Sequence, residues 1–116
     1  MATIITEPPN YNNPSLAHQT YICLLKEIAK FESTLNVDEE IGYFLFASFA
    51  GGTHISVESI YSSDPYFVVF EGIIHNTNQR TKLVQHSTQI NVLFVAVKVQ
   101  PEENREPNRT NRIGFV

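Results

Sequence analysis

Between residues 14 and 35 the large apolar positions fall at Ala17, Tyr21, Leu24, Ile28, Phe31 and Leu35, in steps of four and three. That spacing keeps them on one face of a helix, and it predicts a helix over 14–35. Ile22, Leu25 and Ala29 widen the stripe. Asn13 offers a capping side chain, Pro14 suits the first helical position, and Asn36 suits the end. Residues 1–13 are polar and proline-bearing and read as an N-terminal arm, either disordered or docking Ile4 and Ile5 on a neighbour. Residues 14–116 read as a single domain, a length that suits one core and not two.

After Asp38-Glu39-Glu40 the period drops to two. Residues 41–50 read as a strand, with Tyr43, Leu45, Ala47 and Phe49 on one face and Phe44 and Phe46 on the other. Gly51-Gly52 marks a hairpin turn, and 53–61 returns with Ile55 and Val57 alternating against His54, Ser56 and Glu58. Further strands are predicted over 66–74, 80–86 and 91–99, with a short turn or helical step at Ser87-Thr88-Gln89. A proline- and asparagine-rich loop follows over 100–111, and 112–116 reads as a short final strand.

The order implies an α+β fold: a long N-terminal helix packed on a five- or six-stranded antiparallel meander. One helix covers one face of a sheet. The strands at 41–49 and 92–99 are apolar on both faces, so Phe44, Phe46, Phe94 and several valines need a second cover. Each large side chain left in water forgoes roughly 1.5–3 kcal/mol. A homo-oligomer, dimer or higher, is the simplest expectation.

The chain carries a net charge of −4, divided unevenly. Residues 1–79 hold two basic and nine acidic side chains; residues 80–116 hold six basic (Arg80, Lys82, Lys98, Arg105, Arg109, Arg112) and three acidic. The acidic total argues against duplex nucleic acid as a partner, whereas a local basic cluster suits a small anion. No apolar run reaches the roughly 18 residues of a membrane span, and the N-terminus lacks the basic flank and apolar core of a signal peptide. The lone Cys23, beside the apolar helical face, excludes an internal disulfide and fits a reducing cytoplasm.

Catalytic signatures are lacking. His18, His54, His75 and His86 show no HxH or HxxxH spacing and Cys23 stands in no CxxC pair, so no metal site is expected and the histidines read as surface residues. There is no GxSxG elbow, and Gly51-Gly52 lacks the context of a phosphate loop. No enzymatic activity and no cofactor are expected.

Binding residues are easier to name. Arg105, Arg109 and Arg112 surround a polar loop, and guanidinium forks suit phosphate or carboxylate. Lys82 and His86 share a face of the predicted fourth strand, with Thr88 and Asn108 as further polar candidates. The plainer alternative pairs the arginines with Glu102, Glu103 and Glu106 in a solvated loop.

The segment Leu83-Val84-Gln85-His86-Ser87-Thr88-Gln89-Ile90-Asn91-Val92-Leu93-Phe94-Val95-Ala96-Val97-Lys98, followed by the basic loop and Arg112-Ile113-Gly114-Phe115, resembles a small bacterial and phage family of unknown function. Phe31-Glu32 and Glu40-Ile41-Gly42 fit the same pattern, and the resemblance spans roughly 14–116. This family is in turn similar to the first type of phage Thoeris anti-defence sponge. The resemblance implies an oligomer in the host cytoplasm that sequesters a cyclic ADP-ribose isomer, or a related cyclic nucleotide, without cleaving it. It also implies that Arg105 and Arg109 hold phosphates; Arg112 takes either that role or a structural one. Two rivals stand beside it: an oligomeric protein-interaction module without a small ligand, and a nuclease or cyclic-nucleotide hydrolase.

Overall fold

The fold was described from a computed structural model, over residues 4–36, 38–49 and 52–98. The loop at 100–111, the final strand at 112–116 and the candidates Arg105, Asn108, Arg109 and Arg112 lie outside the described residues. Elements follow in the order β1 (Ile5–Thr6), α1 (Leu16–Thr34), β2 (Glu40–Phe49), β3 (Thr53–Ser63), β4 (Phe67–Ile74), β5 (Arg80–His86), a 3-10 turn (Ser87–Gln89) and β6 (Val92–Lys98). This is the α+β plan expected from the sequence.

Helix α1 buries Ala17, Tyr21, Leu24 and Ile28 along the predicted stripe, with Ile22 beside them. Leu25 is half-buried, whereas Ala29 faces solvent. The cap differs from expectation. Ser15, not Asn13, is the N-cap, accepting the His18 N–H at 3.1 Å. Asn13 is used one step earlier: its Oδ1 accepts the Ser15 N–H at 3.0 Å, and its Nδ2 donates to Asp64 at 2.8 Å. With those bonds made, Pro14 precedes the cap instead of opening the helix.

The five long strands pair antiparallel in the order β5-β4-β3-β2-β6. From β2 to β5 the chain is the expected meander, with Gly52 (φ 77°) supplying the left-handed turn between β2 and β3. Strand β6 departs from it. It returns beside β2, with Phe44 opposite Val95 and Phe46 opposite Leu93. The sheet curls enough for Gln85 on β5 to donate to the Ser48 carbonyl on β2 at 3.2 Å.

The sixth strand comes from the arm. β1 runs parallel to β3, with Ile5 opposite Ser59 and Thr6 opposite Ile60. It takes the stretch of β3 edge beyond the residues that pair with β2 (Thr53 to Ser56).

The core lies between α1 and one sheet face, built from Tyr21, Leu24, Ile28, Tyr43, Leu45, Ala47, Ile55, Val57, Ile60, Val68 and Phe70. Side chains alternate across strands, so the register also defines the opposite face. Phe46 neighbours Ser56, Ser56 neighbours Ile73, and Ile73 neighbours Arg80. Phe44, Phe46, Leu93, Val95, Lys82, Val84 and His86 therefore share the face turned away from the helix. Leu93 (57%), Val84 (52%) and Val95 (38%) stay substantially exposed there. Among the described residues no helix lies on this outer face.

Candidate functional site

Strand β5 projects Arg80, Lys82, Val84 and His86 to the outer face, because alternate residues of a strand point the same way. The expectation that Lys82 and His86 share a face therefore agrees with the register. They do not converge: four residues at roughly 3.3 Å each separate them by about 13 Å. One phosphate cannot bridge them, although an elongated ligand spans that distance.

Lys82 is not a bare cation. Its Nζ lies 3.5 Å from the Glu71 carboxylate on β4, with both side chains largely in solvent. The Tyr61 hydroxyl, first, and Glu71, next, hold the ammonium above the usual lysine range. The charge is thus retained at neutral pH and partly answered.

His86 sits in an aromatic corner. Its ring stacks on Tyr66 at 5.8 Å and 15°, and Phe67 meets it edge-on at 5.8 Å and 82°. Its Nδ1 accepts the Thr88 N–H at 3.2 Å and lies 2.9 Å from the Thr88 hydroxyl. Thr88 thus orients His86. The Tyr66 carbonyl accepts from both Ser87 N–H (2.8 Å) and Ser87 Oγ (2.7 Å), tying the 3-10 turn to the start of β4. Tyr66 and Phe67 are exposed, at 52% and 41%. Sequence reasoning missed these two as site residues, since an aromatic pair after Pro65 looks like any strand start.

A second aromatic group lies along the outer face on β2. Phe44 and Phe46 stack at 5.1 Å, and His75 meets Phe46 edge-on at 4.8 Å and 74°. His54 approaches Phe46 at 6.3 Å. On the helix side, Phe31 and Phe94 stack at 5.0 Å. They line an open groove of about 230 Å³ with Glu27, Lys30 and Thr34. It is smaller than the roughly 300 Å³ at which ligand clefts begin.

His18 corrects the expectation of surface histidines: it is 4% exposed. Its Nε2 accepts the Asn10 N–H at 2.7 Å, and its Nδ1 lies 2.9 Å from Ser62 Oγ. A backbone N–H only donates, so Nε2 carries no proton and Nδ1–H donates to Ser62. Ser62 Oγ in turn donates to Glu7 at 3.0 Å. A hydrolytic triad needs the opposite sense, with histidine accepting from serine and donating to the acid. This trio is thus wired against making Ser62 a nucleophile.

Among the described residues, no three His, Cys, Asp or Glu side chains gather as a metal site would require. No described helix is long and apolar enough to cross a membrane. No curated protein and no solved structure matches the chain. The sequence pattern of a family of unknown function, DUF6173, matches residues 15–116, covering α1 through β6 and all of the C-terminal basic segment but leaving out β1, and the chain belongs to that family.

Proposed function

We propose that this protein is a non-catalytic binding protein for a small anionic, nucleotide-type ligand, held by a homo-oligomer. The carrying observation is the outer face of β5. Arg80 and Lys82, the latter paired with Glu71, lie on the same face as the exposed aromatic group Tyr66, Phe67 and His86 at its far end, about 13 Å or more away, a separation that an elongated ligand spans. Phosphates need cationic forks, and bases need flat apolar surfaces; stacking on one aromatic contributes about 1–3 kcal/mol per base. Arg105, Arg109 and Arg112 are the proposed phosphate clamps. Tyr66 or Phe67 takes the base, a role the sequence alone left unassigned.

The resemblance noted above narrows the ligand to a cyclic ADP-ribose isomer or related cyclic nucleotide. The biological reading is sequestration of an immune signal in the cytoplasm of a phage-infected host. The family itself carries no assigned activity, so this step rests on charge, aromatic placement and resemblance.

Enclosure of the ligand calls for a second copy. Five strands about 4.8 Å apart, each about 25 Å long, present roughly 600 Å² of outer face. That approaches the roughly 800 Å² per partner of a standard interface. Leu93, Val95, Val84 and Phe46 supply the apolar content. The same face supports a second reading, an oligomeric protein-interaction module without a small ligand.

Native mass spectrometry with a panel of cyclic ADP-ribose isomers and cyclic dinucleotides separates the readings. The sponge reading expects an oligomer with a fixed number of ligands, released intact on denaturation. It also expects binding to be lost in Arg105→Ala/Arg109→Ala and weakened in Tyr66→Ala. An oligomer that stays empty across the panel refutes it in favour of the interaction module. Fragmented ligand refutes storage in favour of hydrolysis.

A further inference from the structure

Residues 4–13 hold to the body through bonds that converge on His18 and its neighbours. Backbone pairing is short: β1 contributes two residues to the β3 edge. Beyond it, Tyr21 donates its hydroxyl to the Glu7 carbonyl at 2.5 Å. The Glu7 carboxylate accepts from Ser62 N–H (3.1 Å) and Ser62 Oγ (3.0 Å). Asn10 donates its N–H to His18 Nε2 at 2.7 Å. Ser62 is therefore shared, since its hydroxyl accepts from His18 and donates to Glu7.

The sense of every bond in this chain is fixed by its ends. At one end stands a backbone N–H, which only donates. At the other stands a carboxylate, which accepts when ionised. Between them the imidazole is neutral, with its one proton on Nδ1. A second proton would go to Nε2, where it would face the Asn10 N–H donor to donor.

We propose that His18 is a proton-operated latch for the N-terminal arm. The neutral ring holds Asn10 and, through Ser62, the Glu7 loop. The protonated ring expels Asn10 and frees residues 4–13 from β3. Charged groups face His18 from the segments packed against it. Glu7 on the arm lies one hydroxyl away. Asp64, after β3, is held by Ser15 Oγ (2.6 Å) and Asn13 Nδ2 (2.8 Å), which keep its carboxyl below the usual range and charged. Tyr21, on the same helix, packs its ring 5.5 Å from the imidazole and contributes no charge at these pH values. Release bares the β3 edge at Ser59 and Ile60, a row of backbone donors and acceptors open to a strand from another chain. Histidine is the side chain whose ordinary titration range makes such a device work near neutrality.

The test is amide hydrogen exchange of the full chain at about pH 7.5 and about pH 5.5, corrected for intrinsic exchange, in the wild type and in His18→Gln. Glutamine keeps an acceptor for Asn10 and does not titrate. The wild type is expected to lose about tenfold or more of its protection over residues 5–10 at the lower pH, with β4 unchanged. His18→Gln is expected to show the same arm protection at both. Equal wild-type protection at both pH values overturns the latch. So does an equal loss in His18→Gln, which assigns the switch to Glu7 or Asp64. Should His18→Gln fail to fold, long-range proton–nitrogen correlation spectra of the wild type decide the point. A proton on Nδ1 at the higher pH supports the latch; one on Nε2 overturns it.

Discussion

Substituting Gly72 by alanine tests how tightly the sheet is drawn together at the bulge on β3. Gly72 pairs with Val57 where the register shifts between Val57 and Ser59. A Cβ there would lie 2.0 Å from the Ser56 carbonyl oxygen, 2.9 Å from its carbon and 3.1 Å from the Val57 Cα. All three are backbone atoms, so no side chain can turn aside. The strands must separate locally, and overpacking of this kind costs typically about 1–3 kcal/mol. Losing one ladder hydrogen bond adds about 1 kcal/mol, and removing the flexible glycine returns about 0.5–1 kcal/mol. Together these come to about 2 kcal/mol. At roughly 2.1 cal/mol/K per residue the unfolding entropy of a 116-residue chain is about 0.24 kcal/mol/K, which converts that loss to a Tm lower by about 8 °C. Thermal unfolding followed by circular dichroism, with urea midpoints at constant m, reads the effect. Gly52→Ala is the contrast: its Cβ meets nothing within 4 Å, and only its positive φ is strained. It is expected to cost about 1 kcal/mol. A Gly72→Ala protein melting within about 3 °C of wild type would refute the close approach.

Tyr43 donates to Glu32 at 3.1 Å, and burial, then the nearby Glu32 charge, push its phenol up to about 12. The folded value lies above the unfolded one, so this contribution is intact below about pH 10. It is lost as pH rises towards 12, by at most roughly 2–3 kcal/mol before solvent screening reduces it; ultraviolet titration should show a late-titrating tyrosine that is absent in Tyr43→Phe, with Tyr21 also shifted up by burial in both proteins. Ser15→Ala removes the helix N-cap and is expected to cost about 1 kcal/mol in thermal melts. Ser15 is also the main cause of the lowered Asp64 carboxyl, so in the variant that group moves back up towards the ordinary range. Asp64 stabilises the fold above its unfolded value and less so as pH falls, so Ser15→Ala should also flatten the acid limb of the stability curve.

The helix was legible from its period, and the five long strands from alternation or from short apolar runs bounded by polar turn residues. Ala17, Tyr21, Leu24 and Ile28 announce a helix, and Tyr43, Leu45 and Ala47 announce a strand, without reference to anything distant. What the chain does with its edges was not legible. Nothing local tells β6 to skip β5 and join β2, since either edge would accept its apolar faces. β1 is only two residues long, and its β partner lies about fifty residues away. His18 reads as surface because its compensation comes from Asn10 and Ser62, on separate segments. A finer signal was present, however: His18 lies three residues before Tyr21, within the buried face of α1. At the candidate site, the shared face of Lys82 and His86 followed from alternation. Tyr66 and Phe67 joined them only through the β4–β5 register.

The return of β6 to β2 has a kinetic consequence. The β2–β3, β3–β4 and β4–β5 hairpins close through short turns, so their entropic cost is small. Pairing Phe44 with Val95 closes a loop of about fifty residues, and contacts of that span slow folding. During synthesis β6 also emerges after every strand it must pass. Until it arrives, β2 has one bare edge, flanked by Phe44 and Phe46 on one side and Tyr43 and Leu45 on the other. That interval is when an identical β6 from a second nascent chain competes for the same edge, and dilution of the refolding protein should slow the exchange and raise the fraction that recovers the intramolecular pairing.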